Sequence, residues 1–172
     1  MTMKPKISLL SLLTLSLAIA LPMQSHATDA TVFNDKRAIA KMTSGKAVFL
    51  VDMADAKKQA FYMEIIAGTH QNLLRQGVKP ELVVVYIGPS VKFLTSKPSM
   101  ELEMESGEAI EQMKATSKKL KALGVHQEVC SIATQVFGVD NATLFPEMTV
   151  VGDGFVSLIG YQTQGYAMVP VF

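Results

Sequence analysis

The nearly continuous apolar run Ala47–Met53 (Ala-Val-Phe-Leu-Val-Asp-Met) predicts a strand buried on both faces, the pattern of a parallel sheet. Asp55 then caps a helix on which Met63, Ile66, Ala67, His70, Leu73 and Leu74 share one face, with Gly77 as the left-handed exit. Glu81–Ile87 is a second buried strand. It ends in the turn Gly88-Pro89-Ser90 and a short helical piece through Val91, Phe93 and Leu94. Ser96–Gly107 is polar and acidic and reads as a solvated surface loop; its glutamates Glu101, Glu103 and Glu105, with Glu108, form a charge cluster able to face a basic partner. The helix Glu108–Leu123 buries Ile110, Met113 and Leu120, and Gly124 lets Val125 fold back on Leu120. Val125–Cys130 is a third strand, followed by a helix Ser131–Phe137 closed by Gly138. Asp140–Pro146 is a capped turn anchored by Leu144 and Phe145, and Met148–Val151 is a fourth strand. Beyond Gly152-Asp153-Gly154, Phe155, Leu158, Ile159 and Gln162 keep helical spacing to Gly165; Tyr166–Val169 is the last strand, ended by Pro170. Alternating strands and helices without hairpin signals predict a three-layer α/β fold with a mainly parallel sheet.

The N-terminal residues follow a different pattern. Lys4 and Lys6, an apolar stretch from Ile7 to Leu21, and then Ser25-His26-Ala27 have the three-part layout of a secretory signal peptide over residues 1–27. Residues 28–45 read as an N-terminal arm or short helix, and residues 46–172 as the folded domain. Cleavage would place the mature protein in the periplasm or outside the cell, with no stable membrane insertion. Lys4 and Lys6 are lost with the leader and none of the 15 acidic residues is, so the mature charge is close to balanced. That balance gives no support to binding of nucleic acid or an anionic membrane.

The chain has one cysteine, Cys130. An exported protein with a lone thiol closes no internal disulfide, so Cys130 is buried and inert, reactive, or paired with another molecule. Cysteine-rich zinc and iron–sulfur sites are excluded, and His70 and His126 form no ligand spacing, so no metal and no cofactor is expected. Met100 and Met104 are the one close methionine pair outside the leader, and core packing is the simpler reading of both. Cys130 stands between a strand and a helix, where unpaired N–H groups and the helix dipole favour a thiolate, the nucleophilic form. Side chains alternate along the strand, so His126, Glu128 and Cys130 share a face, yet the step from His126 to Cys130 is about 13 Å at roughly 3.3 Å per residue. His126 is therefore a poor base, and a carboxylate at Glu128 opposes ionisation. Any activation falls to the helix that follows, with the Ser131 and Thr134 hydroxyls at hand. Gly88 and Ser90 lie at the carboxyl end of the second strand, where ligands collect in open parallel sheets. No phosphate-binding glycine loop or serine nucleophile elbow is present.

Three stretches in order carry a family resemblance: Leu-Val-Val-Val-Tyr-Ile-Gly-Pro-Ser at 82–90, Leu-Lys-Ala-Leu-Gly-Val-His-Gln-Glu-Val-Cys-Ser-Ile-Ala-Thr at 120–134, and Met-Thr-Val-Val-Gly-Asp-Gly-Phe with the close Gln-Thr-Gln-Gly-Tyr-Ala-Met-Val-Pro at 162–170. Over about Lys46 to Pro170 the chain resembles the DsrE/DsrF-like proteins, with Phe155 after Gly154 where the family often has Val. The resemblance implies an α/β/α domain around a five-stranded parallel sheet, assembled as a homo-oligomer. It also implies a sulfurtransferase-like role: Cys130 as the catalytic residue holding sulfane sulfur as a persulfide. Gly88 and Thr134 are the neighbouring positions in the matching motifs; with Ser90 and Ser131, taken from their places in the sequence, they are the candidate binding positions, and a sulfur donor or acceptor protein, or a small thiol, would be the partner. The alternative is a non-catalytic oligomeric module that binds a small ligand or partner and keeps Cys130 buried.

Overall fold

The computed structural model describes Met1 and residues 33–172. The expected signal peptide, Met1 apart, and the first residues of the expected N-terminal arm lie outside the described residues. From Asn34 to Phe172 the chain forms one compact unit. Its elements are α1 (Lys36–Ile39), β1 (Ser44–Val51), α2 (Ala56–Arg75), β2 (Lys79–Tyr86), a 3-10 segment (Gly88–Phe93), α3 (Met100–Ala122), β3 (His126–Cys130) and α4 (Ser131–Val136). A 3-10 turn (Asn141–Thr143), β4 (Thr149–Val151), α5 (Gly154–Thr163) and β5 (Ala167–Val171) complete it. The five strands are ordered β4-β3-β2-β1-β5, and every pairing is parallel.

The doubly apolar strands lie at the centre because both of their faces are covered. Gln127 on β3 donates to the Ser117 carbonyl of α3 at 3.0 Å, while its neighbour Glu128, on the opposite face, meets Tyr161 of α5. Thus α3 covers one face and α5 the other, giving the three layers. The α2 helix starts where the Asp55 carboxylate accepts the Lys58 N–H at 2.9 Å, and it buries Met63, Ile66, Ala67 and His70. Leu74 instead points outward, about half exposed. His70 is buried, but its Nδ1 has no hydrogen-bond partner among the described residues. Of the predicted arm, α1 buries no side chain and is clipped to the end of α2 by Asp35 and Gln76, which exchange hydrogen bonds of 2.6 and 2.8 Å.

Three expectations are corrected. The acidic stretch 96–107 is mostly helix: α3 begins at Met100, where Ser99 caps the Leu102 N–H and Glu101 and Glu103 lie in the first turn. Carboxylates there complement the helix dipole, so an acidic, solvated sequence is a helix start as readily as a loop. Met100 and Met104 do not fill the core; both lie exposed on the outer side of those first turns, and Met53, Met63 and Met113 pack the interior instead. Finally, Pro170 does not end the last strand, which runs on to Val171. The Val171 carbonyl accepts from Asp52 N–H, so the adjacent Pro170 turns its missing N–H toward the open edge, where no ladder bond is lost.

The two helices on one face are joined by Glu64, which takes hydrogen bonds from Lys119 and from Thr116, both at 2.6 Å. The Lys119 contact, then Thr116, hold the Glu64 carboxyl below its ordinary 4.5. A depressed native value means stability that is present above pH 4.5 and lost as pH falls through the lower native value. Because both side chains are more than a third exposed, Glu64→Gln should cost only about 0.2–1 kcal/mol at neutral pH. Urea melts of the two proteins should converge in acid. Among the described residues no helix is long and apolar enough to cross a membrane.

Candidate functional site

The carboxyl ends of β1, β2 and β3 deliver Asp52, Ile87–Gly88 and Cys130 to one edge of the sheet. Cys130 is both the last residue of β3 and the residue before α4, with extended backbone (φ −69, ψ 119) and no capping hydrogen bond from its side chain. It is 6% exposed and belongs to the apolar core. It also lines a cavity of about 290 Å³ together with Asp52, Ile87, Gly88, Ile132, Ala133, Val136, Phe137, Asp153 and Phe155. The thiol is thus buried from bulk water but faces a cleft.

Two glycines shape this cleft. Gly88 has φ +55, and a β-carbon there would collide with the Asp52 carboxylate. Gly154 opens α5 beside the thiol, and its β-carbon would lie 2.6 Å from Ile87 Cγ2 and 3.1 Å from Cys130 Cβ. Asp153 caps α5, accepting the Phe155 N–H at 2.8 Å. The start of α4 favours negative charge beside Cys130, whereas the carboxylates of Asp52 and Asp153 act against it. Among the described residues no lysine, arginine or histidine lines the cavity.

The structure brings Cys130 and Gly88 together, as the sequence positions suggested, but Ser90, Ser131 and Thr134 do not line the cavity. Ser90 is fully buried and donates to the Ile87 carbonyl at 2.6 Å. Ser131 donates to the Gly152 carbonyl at 2.9 Å and Thr134 to the Ser131 carbonyl at 2.9 Å. These hydroxyls hold the loops around the cleft. His126 is engaged elsewhere, with Nε2 at 3.2 Å from Glu128 Oε1. Glu128 also accepts the Tyr161 hydroxyl at 2.7 Å. Burial, and then that bond to Glu128, push the Tyr161 hydroxyl well above the usual phenol range. Among the described residues no three or more His, Cys, Asp or Glu side chains group as metal ligands.

Asp52 and Asp153 were not singled out from sequence. Asp52 had a signal, as the one charge in the Ala47–Met53 run and at the carboxyl end of a parallel strand. Ile132, Val136 and Phe155 of the cavity lining, and Val156 and Ile159 elsewhere on α5, are about half exposed or more, an apolar rim over α4 and α5.

Solved structures share this architecture. A protein of unknown function, MTH1491 from Methanobacterium thermoautotrophicum, is 20% identical with a TM-score of 0.56, the match covering 73% of this chain and 98% of that one. The ychN protein from E. coli is 17% identical with a TM-score of 0.53, covering 74% and 99%. BT1422 from Bacteroides thetaiotaomicron, a conserved protein of unknown function, is 18% identical with a TM-score of 0.50, covering 75% and 95%. At these identities the likeness is one of fold. No curated protein matches in sequence. The parallel sheet with its cysteine at the strand end coincides with a sequence match over residues 46–171, most of the described unit, and on that match the chain belongs to the DsrE/DsrF-like family.

Proposed function

We propose that this protein is an exported sulfur carrier, which holds sulfane sulfur as a persulfide on Cys130 and passes it to an acceptor thiol. The observation that carries the reading is the placement of the chain's one cysteine against a cleft at the carboxyl edge of the sheet. Membership of a family suggestive of sulfur relay supports it. The chemistry asks little of neighbouring groups. The Cys130 thiolate attacks the outer sulfur of a donor, whose remainder leaves as an anion with the electron pair of the broken bond. An acceptor thiolate later takes that sulfur by the same displacement, releasing the Cys130 thiolate. No general base is needed once the anion is present.

Incubating the mature protein with polysulfide, thiosulfate or an organic trisulfide should give a sulfur adduct on wild type and none on Cys130→Ser, read by intact mass. Absence of an adduct with every donor would defeat the proposal. The low exposure of Cys130 favours a second reading, a ligand- or partner-binding module with an inert thiol. Thiol reagents separate the two: the carrier labels in its native state, the inert module only after denaturation. The apolar rim over α4 and α5 supports a further part of the proposal, assembly as a homo-oligomer. Light scattering of the purified protein tests that part.

A further inference from the structure

We infer that the Cys130 cleft takes uncharged, apolar sulfane-sulfur compounds of the organic trisulfide type and discriminates against anionic donors; this rests on the carrier reading above. The walls are apolar, with Ile87, Val136, Phe137 and Phe155 among them, and among the described residues the only charged side chains lining the cavity are Asp52 and Asp153. Both carry negative charge. Asp153 directs one oxygen to the α5 N terminus. Asp52, packed over Gly88, enters no salt bridge or side-chain hydrogen bond among the described residues. An anion entering this cleft would give up its hydration, find no cation in the lining and meet an unpaired carboxylate. Sites built for anions offer arginine or lysine forks or the start of a substantial helix. Two helix starts lie beside the thiol: that of α4, which is only six residues long, and that of the ten-residue α5, where the Asp153 carboxylate already accepts the Phe155 N–H at 2.8 Å.

An uncharged trisulfide, R–S–S–S–R, meets no such opposition. The Cys130 thiolate attacks the central sulfur, one S–S bond forms, and the neighbouring S–S bond breaks. An alkylthiolate leaves with the electron pair and takes up the proton that the thiol released, so Cys130–S–S–S–R forms without an oxidant or reductant. A second thiolate then attacks the outer sulfur and departs as a mixed disulfide with the R–S group. Cys130 is left as the persulfide, ready for transfer.

The test uses two donors with the same trisulfide core, the dianionic bis(carboxyethyl) trisulfide and its uncharged dimethyl ester. Adduct formation on the full chain is followed by intact mass, and each native rate is divided by the rate on the same chain unfolded in urea. The diacid should fall roughly tenfold or more below the ester on this normalised scale. Asp52→Asn should narrow the gap severalfold, as should added salt, which screens partly exposed charges within about 10 Å at 0.1 M. Asp153→Asn retains the helix cap and supplies the second variant. Equal normalised rates would overturn the inference and leave the carrier reading intact, and so would a gap that survives both substitutions. A native chain that takes neither trisulfide but is loaded by polysulfide or thiosulfate would overturn the inference alone, and one that takes no donor while the unfolded chain takes them all would remove the carrier reading itself.

Discussion

Truncation of Phe145 to alanine should lower the unfolding free energy by about 3–5 kcal/mol, the range for deleting a large side chain from a packed core. Phe145 is 1% exposed and is among the largest fully buried side chains. Its backbone N–H donates to the Leu94 carbonyl at 2.9 Å, and the preceding Leu144 forms an antiparallel bridge with Thr95. The ring therefore pins the link between α4 and β4 against the segment that leaves β2. A cavity there removes contacts from both loops at once, and neither is held by a regular sheet ladder. Urea unfolding should show a lower midpoint with an unchanged slope. A loss below about 1 kcal/mol would mean that the loops close over the space and that Phe145 is not the anchor claimed.

Gly154→Val should cost about 1–3 kcal/mol through overpacking and also slow sulfur loading of Cys130 by at least roughly tenfold. The new side chain would meet Ile87 and Cys130, both of which line the cleft, and neither is a long flexible chain able to swing aside. The same helix supplies the control. Gly160 has nothing within 4 Å of a built β-carbon, so Gly160→Ala should be neutral or stabilising by about 0.5–1 kcal/mol as helix propensity improves. Opposite signs at two glycines six positions apart would isolate steric approach to the thiol from helix propensity. If Gly154→Val loaded sulfur at the wild-type rate, the close approach of α5 would have no bearing on the site.

Much of the domain was legible from local pattern. The two apolar runs became β1 and β2, since only strands covered on both faces can bury consecutive apolar side chains. Gly77, Gly124, Gly138 and Gly165 all adopt positive φ just past helix ends, as their places after apolar helical patterns predict. The start of α3 was not legible, because glutamate is as much at home in the first turn of a helix as in a loop. Nor was the continuation of β5 through Pro170, which depends on the strand being at an edge.

At the site the division is similar. Cys130 and Gly88 stood out from sequence position alone, and they do share one cavity. Ser90, Ser131 and Thr134 looked equally available, but which hydroxyls face a cleft depends on where nearby carbonyls lie, and all three bond to backbone. Asp52 was hidden inside a strand-like run, although it is the cavity's unpaired charge.

The order of strands and helices, the lone thiol and its place ahead of a helix were all determined by the amino-acid sequence, since each rests on periodicity or composition within a few residues. Only the tertiary structure decided that the thiol lies almost wholly buried yet faces an apolar cleft, and that two carboxylates accompany it there. Those facts depend on Asp52, Gly88, Cys130 and Gly154 converging from distant parts of the chain, and strand order with helix packing, not local spacing, sets that convergence.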